Sequence, residues 1–125
     1  MGAMAERDVT GASFGDSGSV VLEDHDGAAV LRVDGALDLA LAPKLRQLAE
    51  RAARLRPSKV VIDLTGVTFL ASAGMAELVR AHRGPAAPAP LRVVAGSRIT
   101  LRPLELTRLI DELAIYPSLS EALAS

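Results

Sequence analysis

Ser72 is the side chain of this sequence that is best placed to do chemistry. Its hydroxyl lies between Ala71 and Ala73, after an apolar stretch and at the predicted start of a helix. No base accompanies it nearby in sequence, so nucleophilic attack on a substrate is not indicated. A hydroxyl displayed in this way suits covalent modification or recognition by another protein. The simplest alternative is that Ser72 caps the helix, which would be worth about 1 kcal/mol.

A phosphate on Ser72 would act mainly on a protein docked against this segment. It would add roughly −1.5 to −2 charges and three acceptor oxygens to an apolar surface, so an interface there would be lost through desolvation and repulsion. The positive end of the helix dipole would tolerate the charge locally. Gly74 is expected to allow close approach of the partner. The partner-binding residues predicted in this segment are Phe69, Leu70, Ala71, Ser72, Ala73, Gly74 and Met75.

Other residues that could do chemistry give weaker signals. Asp63 ends a predicted strand, where a lone acid more simply caps a turn than binds a cation. His25 and His82 match no metal-ligand spacing, and Gly66 and Gly74 are not followed by the Gly-Lys-Ser/Thr of a phosphate-binding loop. No paired base and nucleophile is present in the pattern, so an enzyme is the least expected class. We predict no catalytic residue, no metal and no cofactor.

Composition limits the classes of protein further. The 125 residues are half hydrophobic, which suits one domain with an aliphatic core, since the chain has one Tyr, two Phe and no Trp. The net charge of −1 and the dispersed basic residues argue against a nucleic acid or an anionic membrane as the partner. The absence of cysteine excludes disulfides and thiolate zinc sites. No apolar run is long enough to span a bilayer, so we expect a cytoplasmic protein without membrane insertion.

The first third of the chain predicts an arm, a hairpin and a helix. Residues 1–18 are rich in Gly, Ser and charge without a period, and we expect a flexible arm whose two early methionines suit a tag remnant. Two β-branched runs, 19–23 and 28–33, flank an Asp-Gly turn and predict a β-hairpin. Apolar residues at helical spacing from Leu41 predict a helix that Arg56-Pro57 ends.

The central part predicts the strand and helix that display Ser72. Lys59 to Leu64 is almost continuously aliphatic, which is typical of a strand covered on both faces. A loop over residues 65–74 should follow it, with a helix starting near Ser72 and ending at Gly84-Pro85.

The last third predicts short elements. Residues 85–90 form an expected stiff Ala/Pro connector, 91–95 a strand, and 103–109 a helix with Pro103 in its first turn. Ile115-Tyr116 suits an edge strand, and Ser118 to Glu121 has the spacing of a capping box. The whole order predicts an α/β domain over residues 19–125, with a mixed sheet of an opening hairpin and parallel strands, packed with about four helices.

Two stretches in this order resemble the STAS domain family, in particular the bacterial anti-sigma factor antagonists. Residues 63–75, DLTGVTFLASAGM, resemble the family's Asp-Leu-Ser/Thr-Gly-Val that leads through an apolar pair to Asp-Ser-Ser-Gly-Leu. Residues 33–39, VDGALDL, resemble its Gly-x-Leu-Asp, and 104–109 resemble its third helix. The resemblance spans roughly residues 20–123.

The resemblance implies a partner switch. An unmodified antagonist of this family binds an anti-sigma factor with a serine-kinase fold and frees a sigma factor. Phosphorylation of the loop serine by that kinase reverses the binding, and a PP2C-type phosphatase restores it. Carried onto this chain, Ser72 is the phosphoacceptor and Asp38 matches an acid on the kinase-facing surface. Ala71 stands where the family usually has an acid, and Ala73 where it has a second serine.

Two alternatives remain open at this level. One is a STAS accessory subunit of a lipid or anion transporter, which would hold its partner through the same helix surface. The other is a small-molecule or nucleotide sensor, which would need an enclosed pocket.

Overall fold

The computed structural model describes residues 7–14, 18–84 and 91–125, and this part of the chain forms six strands and four α-helices. The strands are β1 (Arg7–Phe14), β2 (Gly18–His25), β3 (Ala28–Leu37), β4 (Val60–Leu70), β5 (Leu91–Val94) and β6 (Ala114–Tyr116). The helices are α1 (Ala42–Arg54), α2 (Ser72–Arg83), α3 (Arg98–Leu106) and α4 (Leu119–Ala124), with a single 3-10 turn at Leu109–Asp111.

The strands form one mixed sheet in the order β1-β2-β3-β4-β5-β6. The pairs β1–β2 and β2–β3 are antiparallel, and β3, β4, β5 and β6 run parallel to one another. Each parallel step is made through a helix, as a parallel connection requires. The predicted fold class, an α/β domain with an opening hairpin followed by parallel strands, is confirmed.

The hairpin between β2 and β3 turns at the Asp-Gly pair. Asp26 and Gly27 both have positive φ, at 54° and 91°, which fits the two-residue turn that matches strand twist. The Asp24 carboxylate accepts a hydrogen bond from the Gly27 backbone N–H at 3.0 Å. The turn residues therefore form the hairpin that the sequence predicted.

The core is aliphatic and lies mainly between the sheet and helices α1, α2 and α3. Alternate strand residues such as Leu31 and Ile62 are fully buried against Leu45 and Leu78 from the helices. The opposite face of the sheet carries a smaller cluster, in which Ala122 of α4 covers the strand residues Val30, Val61 and Val94. The central strands are covered on both faces, which explains their unbroken aliphatic sequence.

The expectation of a flexible arm over residues 1–18 is wrong for Arg7–Phe14 and for Gly18, the first residue of β2. Residues 7–14 form β1, which pairs antiparallel with β2 through a register shift between Val9 and Gly11. Backbone hydrogen bonds to β2 hold this strand, and its sequence lacks the alternation that would have predicted it. The rest of the predicted arm, residues 1–6 and 15–17, and the predicted connector 85–90 lie outside the described residues.

Strand β4 is longer than predicted, and this changes the segment before Ser72. The strand continues past Leu64 to Leu70, because its second half pairs with β3 through Asp34 opposite Gly66 and Leu37 opposite Leu70. The expected loop over residues 65–74 is therefore wrong: one residue, Ala71, separates the strand from α2.

Helix α3 also begins earlier than predicted. It starts at Arg98 with Ser97 at the N-cap, and Pro103 lies inside it, not in its first turn. Pro103 removes one hydrogen bond to the carbonyl of Ile99, a residue on the exposed side of the helix. The last predicted helix is confirmed as α4, with the Ser118 hydroxyl accepting from the Glu121 N–H. No helix in the described ranges is both long and apolar enough to span a lipid bilayer.

Candidate functional site

Ser72 is the first residue of α2, and its side chain is exposed. The N-cap position belongs to Ala71, and no side chain caps this end of the helix. The alternative in which Ser72 serves as the cap is therefore not what the structure shows. Among the residues that the structure describes, none forms a hydrogen bond with the Ser72 hydroxyl, so this hydroxyl is available to another molecule.

The end of β4 fixes the segment in front of Ser72. Leu70 is buried in the main core, whereas Phe69 is 55% exposed, as alternate residues of a strand should be. The Ala71 N–H then donates to the Leu37 carbonyl at 3.0 Å. Of the two predicted partner-binding residues in β4, only Phe69 presents its side chain to the surface.

Gly74 anchors the first turn of α2 to the end of β3. It is buried, and a Cβ placed there would lie 2.5 Å from Leu37 Cγ and 3.0 Å from the Leu37 carbonyl oxygen. Real Cβ atoms do not approach other atoms so closely. The close approach that Gly74 permits is thus between two elements of this chain, whereas the sequence suggested approach to a partner.

Asp38 organises the turn between β3 and α1. Its Oδ1 accepts hydrogen bonds from the backbone N–H groups of Ala40 and Leu41 at 3.1 and 3.0 Å. The adjacent Leu39 is 78% exposed. Leu39 is two residues after Leu37, whose carbonyl accepts the hydrogen bond from Ala71. The turn therefore lies beside the start of α2. The sequence pattern pointed to Asp38 and did not point to Leu39. Leu39 lies in the turn, where no helix or strand face buries an apolar side chain.

We call the exposed residues Leu39, Phe69 and Ser72, with the half-buried Ala71, Ala73 and Met75 between them, the Ser72 surface. It is formed by the carboxyl ends of β3 and β4 and the first turn of α2, the edge where parallel sheets place functional groups. The surface is apolar apart from one hydroxyl.

An ion pair between the half-exposed Arg46 and the buried Glu77 joins α1 to α2. Arg46 Nε and Nη2 donate to the Glu77 carboxylate, at 3.1 and 2.7 Å to Oε2. Its hydrogen bond and charge raise the pKa of Arg46. Arg80 adds a third contact to the same carboxylate at 3.3 Å. The pair spans 31 positions, a separation for which the sequence offers no signal.

The weaker candidates lie apart from Ser72 or have structural partners. Asp63 is buried within β4, and its Oδ1 accepts from the Thr65 N–H of the same strand at 2.9 Å, so neither the predicted strand end nor a capped turn is found there. His25 Nε2 lies 2.9 Å from Glu23 Oε1, and His82 Nε2 lies 4.0 Å from Glu112 Oε2. Gly66 faces the Asp34 side chain across the sheet.

Comparison with known proteins agrees with this geometry. The family model of the STAS domain matches residues 19–122, which is most of the chain. This chain belongs to the STAS domain family. The fold, the Ser72 segment and the order of the elements are therefore those of a STAS domain, and the resemblance drawn from residues 63–75 is confirmed.

Relatives of this STAS domain are regulators of sigma factors. The anti-sigma-F factor antagonist RsfB of Mycobacterium tuberculosis is 33% identical over 108 residues, which is 86% of this chain and 88% of RsfB. The crystal structure of an anti-sigma factor antagonist from Mycobacterium paratuberculosis aligns with a TM-score of 0.81 at 37% identity, covering 90% of this chain and 96% of that one. Unphosphorylated SpoIIAA, at 16% identity and a TM-score of 0.61 over 82% of this chain and 91% of its own, shares the fold.

Proposed function

We propose that this STAS domain is an anti-sigma factor antagonist that binds an anti-sigma factor of serine-kinase fold and thereby frees a sigma factor. The observation that carries the proposal is the exposed hydroxyl of Ser72, which lies at the start of α2 within an apolar surface and has no hydrogen-bond partner in the described part of the chain. The named relatives support it, since they are antagonists of anti-sigma factors. The protein acts by binding and performs no catalysis of its own.

Phosphorylation of Ser72 controls the binding in this proposal. The anti-sigma kinase transfers a phosphoryl group from ATP to Ser72 Oγ, and a PP2C-type phosphatase removes it. Leu39 and Phe69 are exposed beside Ser72, and they contact the anti-sigma factor when Ser72 carries no phosphate. A phosphate on Ser72 would have to lose its bound water for the partner to dock on these two side chains. Because that desolvation is unfavourable, the complex dissociates.

The test is a binding series at Ser72 against the kinase-fold anti-sigma factors of the same genome, with the M. tuberculosis anti-sigma-F factor included. Calorimetry should show a complex with the wild-type protein and with Ser72→Ala. Ser72→Glu should weaken it by about a hundredfold, the loss expected when a charge is buried unpaired in an interface. Ser58→Glu is the matched control, because Ser58 is exposed near the start of β4, at the opposite end of the strand.

Modification is tested separately by incubating the complex with ATP and mapping phosphate by mass spectrometry. The expected result is one phosphate on Ser72 and none in Ser72→Ala. A stable complex that never gains phosphate would retain the antagonist and remove the kinase switch. Equal binding of Ser72→Glu and wild type would contradict the docking surface itself.

A further inference from the structure

Within the part of the chain that the structure describes, exposed apolar side chains occur on α3 as well as on the Ser72 surface. Within the described ranges, the large hydrophobic residues that are exposed are Val9, Leu39, Leu55, Phe69, Ile99 and Leu106. Leu39 and Phe69 belong to the Ser72 surface, and Ile99 and Leu106 belong to α3. Clustered apolar exposure of this kind marks an interaction surface more often than single scattered residues do.

Helix α3 continues the Ser72 surface physically. It follows the carboxyl end of β5 and packs against β4, whose second half projects past β5. At the other end of α3, Thr107 Oγ1 lies 3.7 Å from Met75 Sδ in the first turn of α2. Leu106 is therefore one residue from the contact that joins α3 to the Ser72 surface.

The outward side of α3 has a defined chemistry. Thr100 and Leu104 are buried, while Ile99, Arg102 and Leu106 are exposed at i, i+3 and i+7, which places them on one side of the helix. We call these three residues the α3 face. Ile99 is 51% and Leu106 68% exposed, too much for a role in this chain's own core.

The charges around the α3 face are mostly basic and available. Arg98 and Arg102 are exposed and make no ion pair with any residue that the structure describes, whereas Arg108 pairs with Asp111 at 3.2 Å. Glu105 is the one carboxylate of the helix. An apolar pair rimmed by unpaired guanidinium groups is complementary to a partner surface with an apolar centre and carboxylates at its rim.

We infer that the α3 face is the second half of the docking surface and that it contacts an acidic-rimmed apolar patch on the anti-sigma factor. The inference rests on the proposed function, and it specifies the chemistry of the partner. The Ser72 surface supplies the switch. Within the α3 face, Leu106 and Ile99 increase the affinity for the anti-sigma factor. Arg102 favours a partner with carboxylates at its rim and speeds association with it.

The experiment compares two variants of α3 with two matched variants at the far end of α1. Leu106→Ala and Arg102→Glu should each weaken calorimetric binding to the anti-sigma factor about tenfold, as interface residues outside the very centre do. Leu55→Ala and Arg54→Glu make the same changes at exposed residues of the opposite edge and should alter binding by less than about twofold. All four positions are exposed, so thermal unfolding should stay close to wild type.

Salt dependence tests the charge. Raising ionic strength from about 0.1 to 0.5 M should narrow the gap between wild type and Arg102→Glu and leave the effect of Leu106→Ala unchanged, because salt screens exposed charges only. A charge reversal on the partner, from carboxylate to lysine, should restore binding of Arg102→Glu.

The outcomes separate this inference from the function beneath it. Wild-type affinity in both α3 variants, with binding still lost in Ser72→Glu, would overturn the α3 face and leave the antagonist standing. Absence of any complex with wild type would overturn both. A dimer of this chain in sedimentation that disappears in Leu106→Ala would show that a second copy, not an anti-sigma factor, covers the face, and would also overturn the inference.

Discussion

Gly74 lies against Leu37 so tightly that its missing side chain determines where Ser72 stands. A Cβ at position 74 would come within 2.5 Å of Leu37 Cγ. Leu37 is itself fully buried, and its carbonyl holds Ala71. The start of α2 therefore contacts the end of β3 both by close packing and by a backbone hydrogen bond.

Gly74→Ala should be destabilising even though alanine favours helices. The added methyl overpacks the contact with Leu37, at a cost of about 1 to 3 kcal/mol that exceeds the helix propensity gain. Denaturant unfolding measures it. The double variant with Leu37→Ala should lose less than the sum of the two single variants, because the smaller side chain makes room for the methyl. Strict additivity would show that the two residues are not in contact.

Asp38 is expected to act first on the turn and only secondarily on a partner. Asp38→Ala removes the acceptor for two backbone N–H groups and should cost about 1 kcal/mol, the usual value of such a capping side chain. Asp38→Asn retains the acceptor oxygen and should leave the midpoint of unfolding nearly unchanged. If Asp38→Asn still weakens binding to the anti-sigma factor, the charge of Asp38 contributes to docking in addition to its hydrogen bonds.

The acid that the family usually has at the position of Ala71 would have two effects, one on the stability of α2 and one on recognition by the kinase. An aspartate there would occupy the vacant N-cap of α2, so Ala71→Asp should stabilise the protein by about 0.5 to 2 kcal/mol. Ala71→Asn provides the same cap without the charge. Both variants should unfold at higher denaturant concentration than wild type, and a faster phosphorylation of Ser72 in Ala71→Asp alone would assign the charge to kinase recognition. No stabilisation in either would contradict the N-cap assignment.

Glu112 provides a pH test at the back of the domain. Hydrogen bonds from Arg83, with Nε at 2.6 Å, lower the pKa of the Glu112 carboxyl from its usual value near 4.5, and Glu112 raises the pKa of Arg83 in turn. When folding lowers the pKa of a carboxyl, its ionised form stabilises the protein at pH values above the pKa in the unfolded chain. This stabilisation is lost as the pH falls through the pKa in the folded protein. Glu112→Gln should therefore be less stable than wild type at pH 7.

The difference between wild type and Glu112→Gln should shrink as the pH is lowered through the acid side of 4.5, measured by thermal melts from neutral to acid pH. Glu105→Gln is the matched control, because Glu105 is exposed and has no ion pair within the part of the chain described. A gap between wild type and Glu112→Gln that is constant across the pH range would rule out the contribution of the ion pair.

Much of this protein follows from local sequence signals. The Asp-Gly pair predicts the hairpin, the aliphatic run predicts a central strand, and Ser118 to Glu121 predicts the cap of α4, since each depends on residues within a few positions of one another. The helix that begins at Ser72 was likewise predictable. These elements are sufficient to predict the fold class and to identify Ser72 as the candidate site residue.

Longer-range contacts decided the rest. β1 forms because β2 offers it an edge, and the second half of β4 is a strand because β3 runs beside it, although its Thr and Gly residues suggested a loop. The ion pair of Glu77 with Arg46 joins two helices 31 positions apart and has no local signature. Pairing with a neighbouring strand or helix outweighs the weak preferences of short segments.

The sequence by itself determined that a lone serine would stand at the start of a helix after a buried strand, because strand and helix periodicity are local properties. Only the tertiary structure decided which neighbours accompany Ser72. It buried Leu70 and Gly74, directed the Asp38 carboxylate into its own turn, and left Leu39 and Phe69 exposed beside the start of α2. Which side of an element meets solvent depends on what packs against its other side, and that is settled only when the whole chain folds.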